Sequence, residues 1–295
     1  MSMKQMKTLT INEEQFEIMD EYARNNCSGN NGNNASVGNN LLINSNFANP
    51  VNQRGYAGEV TTKSMYTIDR WKMNAGQSFD VSSKGITFKE ASTTGYFVQR
   101  IEASSLKGKI VTLSMKINRK VHLLSAVVSE ENISSSMSVD EYSHIYLDYD
   151  ISNDIVTCGL SFYNGAAPTI EWAKLELGEV ATPYVPRLYG EELLLCKRYY
   201  KKVYLGDANL WQIQTDYLAY CMSLGDEMRV VPTITFPTDG STALAKNGVV
   251  QNGFSFEAID VLATQFGIKV SKSSHGLSTN DLPTIRRYAY ADAEL

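Results

Sequence analysis

The sequence predicts a mainly β protein: an antiparallel jelly-roll β-sandwich, then a smaller β domain with one short helix, with an N-terminal hairpin ahead of both. Three observations predict it. Seven or more short runs alternate apolar and polar residues between Leu41 and Leu177, broken by glycine-bearing turns. A seam at 175–202, LELGEVATPYVPRLYGEELLLCKRYYKK, then interrupts the alternation with two prolines and a helical pattern. Beyond it, from Tyr217, strand periodicity resumes.

Taken in order, residues 1–26 open with Thr8–Ile11 alternating, a turn at Asn12-Glu13-Glu14, and Phe16 to Ile18 alternating again, which predicts a hairpin. An isolated hairpin is marginal in water, so this unit is expected to pack on another copy or another protein as an attachment segment. Residues 27–40 are nearly all Asn, Gly and Ser and read as a linker. The sandwich is expected over 41–185. Its clearest strand is IVTLSMKIN at 110–118, with Val111, Leu113, Met115 and Ile117 on one face. IVTCGLSFY at 155–163 repeats the device and puts Cys158 in the core. Trp71 is assigned to the interior, where large aromatics near an early strand belong.

In the seam, Pro183 and Pro186 bias Thr182 and Val185 towards extended conformations. Gly190 followed by Glu191 and Glu192 starts a helix with acids in its first turn, and Leu193, Cys196 and Tyr200 are expected on its inward face. The remaining chain, 186–295, is the smaller β domain. Strands are expected at Tyr217–Leu224, at Arg229–Phe236 with Pro232 demoting it to an edge, at Ile259–Val270 and at Ile285–Tyr290.

Composition bounds the chemistry. A net charge of −5, with no basic run longer than Lys201-Lys202 or Arg286-Arg287, argues against nucleic acid or an anionic membrane as partner. No apolar run reaches the length of a secretion signal or a membrane span, which predicts a chain made in a reducing cytoplasm. Cys27, Cys158, Cys196 and Cys221 lack metal or disulfide spacing and read as free thiols.

Several segments carry a resemblance. LLINSNFANPVNQRG at 41–55, YTIDRWKM at 66–73 and VQRIEASSLKGKIVTLSMKI at 98–117 resemble the opening of a carbohydrate-binding-type jelly roll of bacteriophage and prophage tail-fibre and receptor-binding proteins. The seam at 174–202, MRVVPTITF at 228–236 and YAYADAEL at 288–295 look like the passage into those proteins' last domain. KTLTINEEQFEIMDEYAR at 7–24 is similar to attachment segments of prophage structural proteins. The resemblance implies a virion component, assembled as a homotrimer, fixed to other virion proteins through its N-terminal segment, with a host-surface receptor, a glycan above all, as its partner.

The residues favour binding over catalysis. A polysaccharide depolymerase needs two carboxylates across one cleft. Asp148, Asp150 and Asp154 read as a strand running into a turn, and Glu171 and Glu176, an odd number apart, point to opposite faces of a regular strand. His122, His144 and His275 stand alone, without metal spacing. Jelly rolls of this kind often hold a structural Ca²⁺, and Asn44, Asn46 and Asp69 are its candidate ligands; with no acidic cluster beside them, no cofactor is predicted. Sugars are recognised by aromatic platforms with amides and hydroxyls around them. Trp211, in a GDANLWQ turn, and Tyr217, on the polar side of its strand, are the candidate ligand-binding residues.

Overall fold

The computed structural model describes residues 8–11, 14–17, 39–56, 58–60, 64–74, 76–89, 94–129, 131–163, 165–237, 243–281, 283–286 and 288–295. β1 (Thr8–Ile11) pairs antiparallel with β2 (Glu14–Glu17), as the alternation there predicts. The rest of the attachment segment, and the linker up to residue 38 with Cys27, lie outside the described residues.

Twelve strands follow: β3 (Glu59–Val60), β4 (Met65–Tyr66), β5 (Lys72–Met73), β6 (Gln77–Ser82), β7 (Gly85–Phe88) and β8 (Gly95–Glu102). Then come β9 (Ile110–Ile117), β10 (Lys120–Val127), β11 (Ile133–Ser138), β12 (Ser143–Asp150), β13 (Ile155–Phe162) and β14 (Thr169–Leu177). They form two six-stranded antiparallel sheets, ordered β10-β9-β14-β7-β6-β3 and β11-β12-β13-β8-β5-β4. The inward residues of both sheets make one apolar core, because a period of two puts every second side chain on the same face. Val111, Leu113, Met115 and Ile117 enter it from β9, and Cys158, Leu160 and Phe162 from β13. Trp71 stacks on Phe97 at 4.9 Å and meets Phe47 edge-on at 4.9 Å, and its indole N–H donates to the Asn44 carbonyl.

The seam carries helix α1 (Tyr189–Lys197). It is shorter than its apolar pattern suggests: Tyr200 belongs to a strand, Leu193 is only half-buried, and the helix buries Glu192 and Cys196. The reason is polar anchoring. The Glu192 carboxylate accepts the Asn44 N–H at 2.8 Å and pairs with Arg187 at 3.0 Å, tying the first helical turn to the first unit. Burial pushes the Cys196 thiol up, which makes it inert.

Beyond the helix lie β15 (Tyr200–Tyr204), β16 (Asn209–Ile213), β17 (Tyr217–Ser223), β18 (Thr233–Thr235) and β19 (Ala243–Lys246). β20 (Val249–Gln251), β21 (Ser255–Ile259), β22 (Gln265–Ser271), β23 (Thr284–Arg286) and β24 (Tyr288–Asp292) complete the chain. They form three small antiparallel sheets around a second core containing Leu218, Tyr220, Phe266, Ile268 and Val270. Three expected strands are corrected. Arg229–Phe236 contributes only the three residues after Pro232, since proline offers no ladder donor. Ile259–Val270 is two strands, split by a turn in which Leu262 donates to Gln265. Ile285–Tyr290 falls on β23 and β24, which lie in different sheets.

The DRW triplet of YTIDRWKM organises the contact between the two units. Thr67 and Trp71 close a tight turn that sends Trp71 into the core, while Arg70 takes a left-handed φ of +72° and points at the second unit. There the Arg70 guanidinium lies 3.6 Å from the Tyr199 ring centroid, donates to the Arg100 carbonyl and pairs with Glu294. Glu294 also takes Arg54 at 3.0 Å, and Arg54 takes Asp292 at 3.1 Å. Beside them Asp69 is fully buried and accepts the backbone N–H and side-chain amide of Gln53.

Burial pushes the Asp69 carboxyl up to about 6, against the opposing effects of the Gln53 hydrogen bond and Arg54. An unfolded Asp titrates near 4, so from about pH 4 to 6 the folded chain binds the extra proton and stability falls as pH rises. The stability of Asp69→Asn relative to the wild type should therefore rise by about 3 kcal/mol between pH 4 and 7. Paired denaturant titrations across that range measure it, and a flat difference would contradict a raised carboxyl.

Candidate functional site

The two sheets of the first unit have very different outer faces. Over β9 and β14 the face is covered by the chain itself, while Val121, Leu123 and Val127 of β10 stay exposed beside the cover. Gly178 accepts from Thr112 Oγ1 at 2.6 Å, Thr182 N–H donates to Glu176 at 2.8 Å, and Tyr184 stacks on Trp172 at 4.6 Å with the rings 2° from parallel. Under this strap Lys174 and Glu176 pair at 3.0 Å, both 1 % exposed.

The outer face of the other sheet carries no such strap. Cross-strand register lines up its side chains in rows, since directly paired residues share a face. The central row reads Ser136, Tyr146, Gly159, Val98, Lys72 and Tyr66, one residue from each of the six strands. It spans roughly 24 Å at about 4.8 Å per strand. Ser138, His144, Ser161 and Tyr96 flank it on one side, and Ser134, Asp148, Thr157 and Arg100 on the other. Apart from Gly159, Val98 and the serines of β11, these residues are half-buried, the state of a face exposed between its own side chains.

Gly159 is fixed by close approach: a Cβ there would stand 2.3 Å from the Phe97 carbonyl oxygen. It is buried between Tyr146 and Val98, its partners on the flanking strands. Burial pushes the Tyr146 hydroxyl above its ordinary range, with Asp148 adding to it, so it stays a neutral donor. Tyr96 donates to or accepts from Ser64 at 3.0 Å, and the His144 ring meets Tyr163 edge-on at 5.5 Å. Aromatic rings and hydroxyls suit the flat apolar faces and equatorial hydroxyls of sugar rings.

Trp211 and Tyr217 lie elsewhere, in the second unit. Trp211 is on strand β16, not in a turn; it sits at a bulge between Leu210 and Gln212 and is 61 % exposed. Tyr217 is half-buried, its hydroxyl 3.4 Å from Gln212 Oε1 and its ring 5.5 Å from the Lys269 ammonium. No ring contact, hydrogen bond or ion pair among the described residues links either to the sandwich face. Tyr96 and Tyr146 went unnoticed in the sequence, although each alternates with core residues and so had to point outwards.

The candidate carboxylates are each engaged singly. Asp148 accepts from Ser134 at 2.8 Å, Asp150 caps the turn at Ser152 and Asn153, and Asp154 takes Lys107 at 3.2 Å. The Asn153 amide holds the Asp150 carboxyl below its usual range. Strand parity fails for the glutamates, because a bulge between Ile170 and Trp172 interrupts β14; Glu171 pairs with Lys116 at 2.7 Å. The Ca²⁺ candidates are spent on the fold: Asn44 Oδ1 accepts the Val51 N–H, Asn46 Oδ1 accepts the Ala48 N–H, and Asp69 takes Gln53. Among the described residues no group of three or more His, Cys, Asp or Glu is placed to hold a metal ion. No helix among them is long and apolar enough to cross a membrane.

No family model matches the chain, and no curated protein is similar to it. Among solved structures, the N-terminal CBM22-1-CBM22-2 tandem domain of Paenibacillus barcinonensis Xyn10C aligns with 82 % of this chain and 99 % of that one, at 11 % identity and a TM-score of 0.23. A likeness that weak carries no argument about fold or ligand.

Proposed function

We propose that this protein is a non-enzymatic virion structural component, of a tail fibre, tail tip or similar appendage, that binds host-surface glycans. The observation that carries the glycan part is the asymmetry of the first unit: the seam lies over β9 and β14 on one outer face, and the other face carries the half-buried rings of Tyr96 and Tyr146 with no strap over them. The jelly-roll assignment belongs to the proposal. It is supported by strands that cross repeatedly between the sheets, β8 to β9, β10 to β11 and β13 to β14. The virion setting, attachment through residues 1–26 and a homotrimer rest on the resemblance of the quoted segments. Exposed Val121, Leu123 and Val127 on the edge strand β10 support self-association. Domains at 41–185 and 186–295 are supported by the two cores.

Tyr146→Ala should weaken binding to glycans of the host surface at least tenfold, about 1.4 kcal/mol, in a variant that still folds, with a melting temperature lowered only by the loss of the half-buried ring. A glycan array followed by calorimetry on a positive glycan measures it. Undiminished binding by a folded variant would remove the face from consideration, and release of reducing ends from the glycan would replace binding by depolymerisation. Trp211→Ala tests the second unit separately: adsorption to cells should weaken without a change of mass in solution, and unchanged adsorption would retire Trp211 as a contact.

A further inference from the structure

The charges of the open face are unequally used. Three acids and two bases stand out on it. Glu102 is neutralised by Arg229, 2.7 Å away on the second unit, Asp148 accepts the Ser134 hydroxyl at 2.8 Å, and Asp150 accepts from Ser152 and Asn153. The bases, Lys72 and Arg100, have no ion pair and no side-chain hydrogen bond among the described residues. The contact shown for Lys72 is the Tyr66 ring, whose centroid is 6.0 Å from its ammonium, and only the backbone carbonyl of Arg100 is used, by Arg70. Asp148 lies two strands from Arg100 across Thr157, about 10 Å. Arg70 and Arg54 behind them are already compensated by Glu294 and Asp292. In a chain of net charge −5, two cations without an ion pair on one face are not a by-product of a basic surface; Arg100 acts only at longer range, on the Asp150 carboxyl.

Their placement joins them to the platform. Lys72 is directly opposite Val98, and Arg100 follows Val98 by two residues on the same strand, so both lie on the Val98 side of Gly159 while Tyr146 lies on the other. A sugar ring seated over Gly159 and packed on Tyr146 would turn one edge towards both cations. We infer that the face selects an acidic polysaccharide, one whose rings carry a carboxylate or sulfate at the edge. Arg100 offers a planar fork that matches such a group, and Lys72 a mobile point charge beside it. This inference rests on the glycan-binding reading above and adds the ligand's charge to it.

The test is affinity electrophoresis of the full chain in gels containing polygalacturonate, alginate or hyaluronate, set against neutral xylan, mannan and hydroxyethylcellulose. The acidic polymers are expected to bind at least tenfold more tightly than the neutral ones, and the preference should shrink as salt rises. Lys72→Met combined with Arg100→Gln, verified as folded by its melting curve, should bring the acidic-to-neutral ratio close to one. Equal retardation by both classes in the wild type would overturn the charge selection and leave the glycan platform standing. Retardation by none of the six polymers would sink both readings together. Acidic binding that survives Tyr146→Ala unchanged would reveal plain ion exchange and overturn the inference.

Discussion

Glu294→Ala should cost about 3–5 kcal/mol of stability and separate the unfolding of the two units into distinct transitions. Glu294 is 3 % exposed in its side chain and is shared by Arg70, which is fully buried, and by Arg54. Removing it leaves Arg70 charged in a place with no water, held only by the Arg100 carbonyl and the face of Tyr199. Because the two carboxylate oxygens take different arginines, the loss is larger than for an exposed pair, whose worth is about 0–1 kcal/mol. Glu294→Gln keeps the shape and one acceptor and should cost less. Denaturant unfolding followed by tryptophan fluorescence distinguishes the outcomes: Trp71 and Trp172 report the first unit, and Trp211 the second. A shift below about 1 kcal/mol in a single transition would mean that apolar contacts, not this cluster, couple the units.

Why the cluster was invisible in the sequence follows from the same physics. Alternation reveals residues whose burial is apolar, and it placed Cys158, β9 and β13 correctly because each obeys a period of two, while Trp71 was placed by its size alone. Asp69 and Arg70, adjacent charges in a turn, carry the mark of exposure, and tertiary pairing buries them: Asp69 with Gln53, 16 positions away, and Arg70 with Glu294, 224 positions away. The helix misleads for the same reason: its buried Glu192 is polar, whereas Leu194, apolar, is 58 % exposed. For the site, the sequence showed that tyrosines were plentiful but not which faces remain open. The seam was legible as a stiff crossing through Pro183 and Pro186; that it lies across β14 depends on Trp172 finding Tyr184, a pairing no periodicity encodes. Trp211 stood out because it lacks alternating neighbours, and the bulge at its position is the reason.

The strap over the closed face yields the second large effect. Lys174→Met should destabilise the first unit by about 3–5 kcal/mol, because Glu176 would stay buried and charged without its cation. Lys174 also donates to the carbonyls of Thr182 and Pro183, so its loss should loosen the seam and open it to proteolysis near Thr182. Lys174→Met with Glu176→Leu removes both charges at once and should recover most of the stability, since a well-packed apolar replacement of a buried pair is often neutral. Failure to recover would place the cost in the lost Thr182 hydrogen bonds instead. Either variant also tests which face is functional. Lys174 lies on the opposite side of the core from Tyr146, so the folded double variant should bind glycan within about twofold of the wild type, a difference of roughly 0.4 kcal/mol. If binding were lost while the fold and the Tyr146 side remained intact, the ligand would belong to the strapped face, and the seam would have to move to admit it.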